Sequence, residues 1–242
     1  MKMLTFAGRN AKEILRDPLN LGFGVGFPVI LLLLLSAIQA NIPVSMFEIE
    51  QLTPGISVFG LSFLTLFAAL LIAKDRQSAL LARLYTSPLT PVDFIVGYTL
   101  PLLPIALAQT LVCYLVGMLL GLSWAISLPA AMLMNLLAAV FFVALGVLCG
   151  SVLNDKQAGG ICGALLTNLS AWLSGIWFDV KLVGGWFEGI ANALPFTHAV
   201  KLVQGITAGE GADTTHLLVV AGYALITLIA AVLLFLRQMK RG

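Results

Sequence analysis

The sequence has little charge for its length, and this shortage is the first guide to its class. Of 242 residues, 10% are Asp, Glu, Lys or Arg and 60% are hydrophobic, whereas a soluble domain has about 25% charged residues. A soluble core of this size would need a charged shell, but a chain whose outer surface faces lipid can leave that surface apolar. The composition therefore excludes an ordinary soluble domain and predicts an integral membrane protein.

Cysteine is also scarce, and the three residues all lie in apolar stretches, at Cys113, Cys149 and Cys162. No CxxC spacing and no histidine cluster accompanies them, so they predict no metal site and are interpreted as small packing residues. The net charge of +2 gives no indication of a nucleic-acid partner.

Sequence motifs of several enzyme classes are missing. The chain contains no GxxxxGK(S/T) phosphate loop, no HExxH and no GxSxG, and no pair of carboxylates falls within an apolar run. Of the ionisable side chains that drive proton-coupled carriers, only His216 falls in an apolar run. We therefore predict that the chain is not an enzyme, binds no cofactor itself and takes any energy for uphill transport from another polypeptide.

Uncharged apolar runs are what the sequence has in abundance. Crossing about 30 Å of hydrocarbon takes roughly 20 helical residues, and six runs reach about that length: 21–39, 55–73, 97–121, 127–153, 159–178 and 215–236. The third and fourth are divided near Gly121 and Trp124, since glycine ends helices and tryptophan suits the membrane interface. The predicted fold is all-α and polytopic, with six transmembrane helices in a single domain, residues 1–242.

The basic residues orient these predicted helices. With the N-terminus inside, only Lys181 and Lys201 of the 13 Lys and Arg residues fall on the outer side. Lysine and arginine favour the cytoplasmic side in short loops, so both termini are predicted to be cytoplasmic. The expected location is the cell membrane, as a multi-pass protein of a prokaryotic plasma membrane.

Two segments outside the runs carry patterns of their own. Residues 1–17 predict an amphipathic helix on the cytoplasmic surface, with a basic tail of no fixed structure as the alternative. Its apolar positions are Leu4, Ala7, Ala11, Ile14 and Leu15. The outer segment, 179–214, is apolar but interrupted by glycine and proline, which predicts short re-entrant or interfacial helices forming a lid.

Polar residues inside the runs have two interpretations. These residues are Gln109, Asn135, Thr167 and Asn168. Hydrogen bonding between helices is the commoner role of such residues, and lining a substrate pathway is the alternative. His198 likewise has two interpretations: a pH-sensitive gate, or a histidine whose hydrogen bonds are satisfied at an interface.

The largest predicted cytoplasmic loop, 74–96, has the pattern of a docking element, with a solvated basic loop as the alternative. A short helix is followed by a proline-fixed turn and a second helix start. Its residues 75–89, DRQSALLARLYTSPL, resemble the signature loop of type-two ABC exporter permeases. Residues 193–200, ALPFTHAV, resemble the proline-plus-aromatic motif of that family before its last span.

The resemblance implies a coupling loop that seats against a separate ABC ATPase subunit. That subunit, and not this chain, would hold ATP and Mg. The coupling residues that it implies are Asp75, Arg76, Gln77, Arg83, Leu84, Pro88 and Leu89. Three positions depart from the usual family pattern: Gln77 replaces an acidic residue, Ala79 a glycine and Ala82 a common glutamate.

The resemblance further implies two permease copies, or this chain with a homologous one, enclosing the pathway. Pro195, Phe196 and His198 become candidates for an outer gate. The apolar spans favour a drug-like, lipid-like or other amphipathic cargo. Two alternatives from other classes are an autonomous carrier or channel, and a membrane scaffold without transport.

Overall fold

The computed structural model describes residues 2–78, 89–123 and 128–239. Within these ranges the chain is helical and contains no strand. The α-helices are α1 (Lys2–Leu15), α2 (Pro18–Leu21), α3 (Phe27–Gln39), α4 (Ile49–Gln77), α5 (Pro91–Thr99), α6 (Leu102–Leu119), α7 (Leu128–Val152), α8 (Asp155–Ala158), α9 (Thr167–Leu173), α10 (Val180–Val183), α11 (Gly185–Ala193), α12 (Pro195–Thr207) and α13 (Thr214–Met239). Two π-helical segments, Gly22–Gly26 and Gly159–Leu166, run directly into α3 and α9.

Five helical stretches among the described residues are long and apolar enough to cross a membrane. They are Gly22–Gln39, Ile49–Gln77, Val92–Leu119, Leu128–Val152 and Thr214–Arg237. The fifth predicted run, 159–178, is helical only as far as Leu173 and is not among them, because this helical part is shorter than the roughly 20 residues that a span needs. An all-α, multi-pass membrane fold is confirmed, whereas the count of six stays a prediction.

The boundaries of the predicted loop 74–96 differ from those of the structure. Helix α4 continues to Gln77 and α5 begins at Pro91, so both ends of the predicted loop are helical. Thr90 and Asp93 form a reciprocal cap at the start of α5, with the Thr90 N–H donating to Asp93 Oδ2 at 2.8 Å. This cap satisfies backbone donors that the first helical turn would otherwise leave free.

Helix α4 is the centre of the bundle, and α7 is packed closely against it. In the most apolar stretch of α4, 89% of residues are buried, compared with 17% in the last span. Two glycines of α7 allow the close approach: a Cβ at Gly146 would lie 2.4 Å from the Thr65 carbonyl oxygen, and one at Gly150 would lie 2.7 Å from that of Ala69. The two backbones therefore touch, as small residues permit in membrane helix pairs.

The buried face of α1 differs from the predicted apolar face. Ala7 and Ile14 are buried as expected, but Leu4 is 60% exposed, whereas Phe6 and Asn10 are buried. The buried face differs from the prediction because α1 packs against α5 and α4 through the side that holds Phe6 and Asn10.

The outer segment, 179–214, contains three short helices, α10, α11 and α12. Left-handed backbone at Gly184, with φ of 63°, separates α10 from α11, a conformation that favours glycine. Pro195 then begins α12, where proline suits the first helical turn. The re-entrant position of these helices stays a prediction.

Candidate functional site

Asp75 is a buried carboxylate at the end of α4, with 1% of its surface exposed. Arg9 of α1 donates two hydrogen bonds to it, from Nη2 to Oδ1 at 2.7 Å and from Nη1 to Oδ2 at 2.5 Å. Tyr98 of α5 donates its hydroxyl to Oδ2 at 2.8 Å. A forked arginine–carboxylate pair is strong and directional, and a buried charge needs such partners. We call Arg9, Asp75 and Tyr98 the base cluster, since it joins three helices at the base of the loop.

Neighbouring contacts of α1 extend the same junction. Asn10 donates its Nδ2 to the carbonyl oxygen of Gly97 at 3.0 Å. Phe6 packs edge-on against Tyr98 with a centroid distance of 5.0 Å, and a Cβ at Gly97 would lie 2.3 Å from the Phe6 ring. The glycine therefore lets α1 and α5 pack closely.

The charge state of Arg9 is set by this junction. Burial on its own lowers the pKa of the Arg9 guanidinium, but the hydrogen bond and the charge of Asp75, aided by Glu13, outweigh burial and raise the pKa above its ordinary value. Arg9 is therefore a permanent cation in the physiological range of pH.

Arg76, the next residue along α4, binds the end of α7. Its guanidinium donates to the carbonyl oxygens of Ser151, Val152 and Leu153, the last at 2.5 Å. The final carbonyls of a helix have no partner within the helix, and a cation there also suits the helix dipole. Arg76 thus fixes the end of α4 to the end of α7.

Two of the predicted pathway residues meet inside the bundle. Gln109 of α6 donates its Nε2 to the Ser57 carbonyl oxygen at 3.2 Å, and Asn135 of α7 donates its Nδ2 to Ser57 Oγ at 3.1 Å. Both amides are buried, at 2% and 1% exposure. Their contacts join α6 and α7 to α4.

The other two pathway residues lie on α9 and differ in exposure. Thr167 is buried and donates its hydroxyl to the Cys162 carbonyl oxygen at 3.0 Å. Asn168 is exposed and donates its Nδ2 to the Ala164 carbonyl oxygen at 2.7 Å. Of the four candidates, only Asn168 presents its side chain on the surface of this chain.

The predicted outer-gate residues are all buried around the start of α12. Phe196 stacks on Phe142 of α7 at a centroid distance of 6.1 Å, and Thr197 donates its hydroxyl to the Leu173 carbonyl oxygen. His198 meets His216 of α13, with 2.8 Å between their Nδ1 atoms. The start of α12 is therefore attached to α7, α9 and α13.

Comparison with known protein families gives a match over most of the chain. The profile of the family described as ABC-2 type transporter covers residues 2–207, from the start of α1 to the end of α12. The chain belongs to the ABC-2 type transporter family. No curated protein and no solved structure matches the chain.

Membership of the ABC-2 family makes the chain a membrane permease subunit of an ABC transporter. Permeases of this family are transport subunits that work with an ABC ATPase subunit, often as dimers. The chain is accordingly a multi-pass membrane protein, and the family resemblance read from the two sequence motifs is confirmed.

The coupling residues predicted for this ABC-2 permease have different environments. Asp75 and Arg76 point into the protein, Gln77 is exposed, and Leu89 packs against the hydrophobic core. Arg83, Leu84 and Pro88 lie outside the described residues. Contact of any of the seven with an ATPase stays a prediction.

Sequence reasoning missed several residues of these clusters in the ABC-2 permease, namely Arg9, Asn10, Ser57 and Tyr98. A signal existed for Asn10, because Phe6, Asn10 and Ile14 recur every four residues and form one buried stripe. A polar side chain on such a stripe indicates a hydrogen-bond partner. No comparable pattern marks Tyr98, whose partner is distant in sequence.

Proposed function

We propose that this chain is the membrane subunit of an ABC exporter that a separate ATPase subunit drives through the loop between α4 and α5. The ATPase, which holds ATP and Mg, would seat against this loop. The observation that carries the proposal is the base cluster, because it fixes both helices that flank the loop to α1.

A loop that transmits force needs firm attachment at both ends. At the α4 end, Asp75 is held by Arg9, and Arg76 is held by the last carbonyls of α7. At the α5 end, the Thr90 cap and the hydroxyl of Tyr98 serve the same purpose. Because α4 is the most buried of the five long helices, a displacement of the loop would pass directly to the centre of the bundle.

The exposed face of the second π segment and α9 suggests where cargo or a second copy would lie. The face carries Ile161, Leu165 and Trp172, at 38%, 55% and 54% exposure, with Asn168 between them. An amide that faced lipid alone would be costly. We therefore assign this face to the pathway between two permease copies, and Gln109 and Asn135 to bracing of the bundle.

Such a face suits an amphipathic cargo. Three large apolar side chains would contact the hydrophobic part of a drug-like or lipid-like molecule, and the Asn168 amide would serve one polar group. A highly charged cargo would find no ionic partner among the exposed side chains of this face. Asn168→Leu is expected to reduce cargo-stimulated ATP hydrolysis and to leave basal hydrolysis unchanged.

Co-expression with a cognate ABC ATPase tests the proposal. The complex is purified through a tag on the membrane chain, and ATP hydrolysis is measured in lipid. Arg83→Ala and Pro88→Ala are expected to lower hydrolysis that depends on the permease, without loss of membrane insertion. Lys156→Ala, an exposed basic residue of another predicted cytoplasmic turn, is the matched control. Unchanged hydrolysis in both loop variants, or no stable complex, overturns the docking role.

A further inference from the structure

His198 and His216 are the two histidines of the chain, and they contact each other. His198 lies in α12 and is 8% exposed, whereas His216 lies in the first turn of α13. Their Nδ1 atoms are 2.8 Å apart and their ring centroids 4.9 Å apart, at an interplanar angle of 63°. This contact connects the outer segment with the last span.

The neighbouring backbone fixes the position of each ring proton. His198 Nε2 lies 2.9 Å from the carbonyl oxygen of Asn192, and a carbonyl oxygen can only accept. His198 Nε2 therefore carries a hydrogen, which leaves Nδ1 of the neutral ring as an acceptor. The hydrogen between the rings then belongs to Nδ1 of His216. The neutral pair has opposite tautomers: Nε2–H on His198 and Nδ1–H on His216.

These tautomers determine what added protons do. The first proton has a free position at Nε2 of His216, where it preserves the hydrogen bond between the rings and makes it charge-assisted. A second proton must go to Nδ1 of His198. Two N–H groups and two positive charges would then face each other across 2.8 Å, and separation of the rings relieves this repulsion. The separated pair binds more protons than the closed pair, so acid favours separation.

Charged groups around the pair modulate this response. Asp213 accepts backbone N–H groups of Thr215 and His216, and these bonds lower the pKa of its carboxyl, so it stays anionic in mild acid and favours protonation of the nearby ring. Lys201, one turn along α12 from His198, opposes it. A cavity of about 680 Å³ beside His216 is also lined by Glu48, Glu50, Lys201, Glu210 and Asp213.

We propose that His198 and His216 form an acid-sensitive latch between α12 and α13, closed while at most one ring is protonated and open when both are. Histidine is the side chain whose charge commonly changes in mild acid, so opening is expected when the outer side is acidified. In the predicted orientation the latch senses the pH of the outer side. Opening removes the hydrogen bond between His198 and His216 but leaves the contacts of Phe196 and Thr197 with α7 and α9 in place.

Nitrogen-15 NMR of the imidazole groups tests the latch directly. Histidine labelled with ¹⁵N is incorporated into the whole chain, purified without a polyhistidine tag, so that two rings give all the signals. At pH 8 we expect one Nε2–H and one Nδ1–H tautomer. On acidification the protons should bind in two separate steps. Two Nε2–H rings that bind their protons independently of each other would refute the proposal.

Thermal unfolding of the pure permease provides a second test. From pH 7.5 to 5, the melting temperature of the natural protein should fall by about 2–4 °C more than that of His216→Phe, because an energy change of about 1 kcal/mol shifts a domain of this size by that amount. Phenylalanine keeps a ring but removes both nitrogens. An equal fall in both proteins overturns the latch. Neither test requires the ATPase, so failure here is separate from failure of the proposed exporter function.

Discussion

Removal of one member of the Arg9–Asp75 pair is expected to destabilise the junction between α1 and α4. Breaking a fully buried ion pair costs about 3–5 kcal/mol, since one charge stays buried without its partner. The Asp75 side chain is 2% exposed but that of Arg9 is 38% exposed, so water would partly replace the guanidinium. We therefore expect Arg9→Gln to lower the free energy of unfolding by about 2–3 kcal/mol.

Asp75→Asn should cost less than Arg9→Gln. The amide removes the buried charge and still accepts the hydroxyl hydrogen of Tyr98, so we expect a loss of about 1–2 kcal/mol. In the double variant neither charge is stranded, and the two losses should not add. A coupling energy of about 2 kcal/mol is expected between Arg9 and Asp75, within the range for residues in direct contact.

The free energy of unfolding is measured by reversible unfolding in mixed detergent micelles, with the loss of helical circular dichroism as the signal. Arg16→Gln changes an exposed arginine just after the same helix and should stay within about 0.5 kcal/mol of the natural protein. A coupling energy below about 0.5 kcal/mol would place the pair among ordinary surface ion pairs. The reasoning that the base cluster is a firm junction would then be wrong.

Three further changes test other contacts. Gly146→Ala should lower the melting temperature, since its Cβ would lie 2.4 Å from backbone, whereas Gly8→Ala has open space and serves as the control. Ser57→Ala should lower the free energy of unfolding by about 1–3 kcal/mol, because Asn135 loses its hydrogen-bond acceptor. If this variant still binds the ATPase, the contact stabilises the bundle without taking part in coupling. Asp213→Asn should destabilise α13 at neutral pH. The difference in stability between this variant and the natural protein should vanish as pH falls below about 4, because the carboxyl, whose pKa is lowered in the folded state, then takes up its proton. A difference in stability that stays constant with pH would contradict this.

Composition and periodicity predicted the class of fold because they report how residues partition between lipid and water. They located the long apolar helices and the helical nature of α1. They could not predict that α4 continues through Asp75, because charged residues such as Lys74 and Asp75 directly after an apolar run normally indicate the start of a loop. Helix α4 continues there because Arg9 and Tyr98, distant in sequence, supply the hydrogen bonds that a buried carboxylate needs.

The contacts within the candidate sites could not be predicted from the sequence either. Sequence reasoning selected Gln109 and Asn135 as polar groups at membrane depth, but their convergence on Ser57 depends on how α6 and α7 pack around α4. Likewise, His198 was selected on its own, whereas its partner His216 lies on another helix. Such pairings depend on tertiary packing, which local periodicity does not encode.

The length of α4 determines how far a movement at one of its ends displaces the other end. From Gln51 to Asp75 the helix spans about 36 Å, which is longer than the hydrocarbon core of a bilayer. At the far end, Gln204 of α12 donates its side-chain amide to the Gln51 carbonyl oxygen at 3.0 Å. A rod of that length moves at one end by about 0.6 Å for each degree of tilt about the other. A tilt of a few degrees imposed at Asp75 would therefore shift the contact with α12 by more than an ångström.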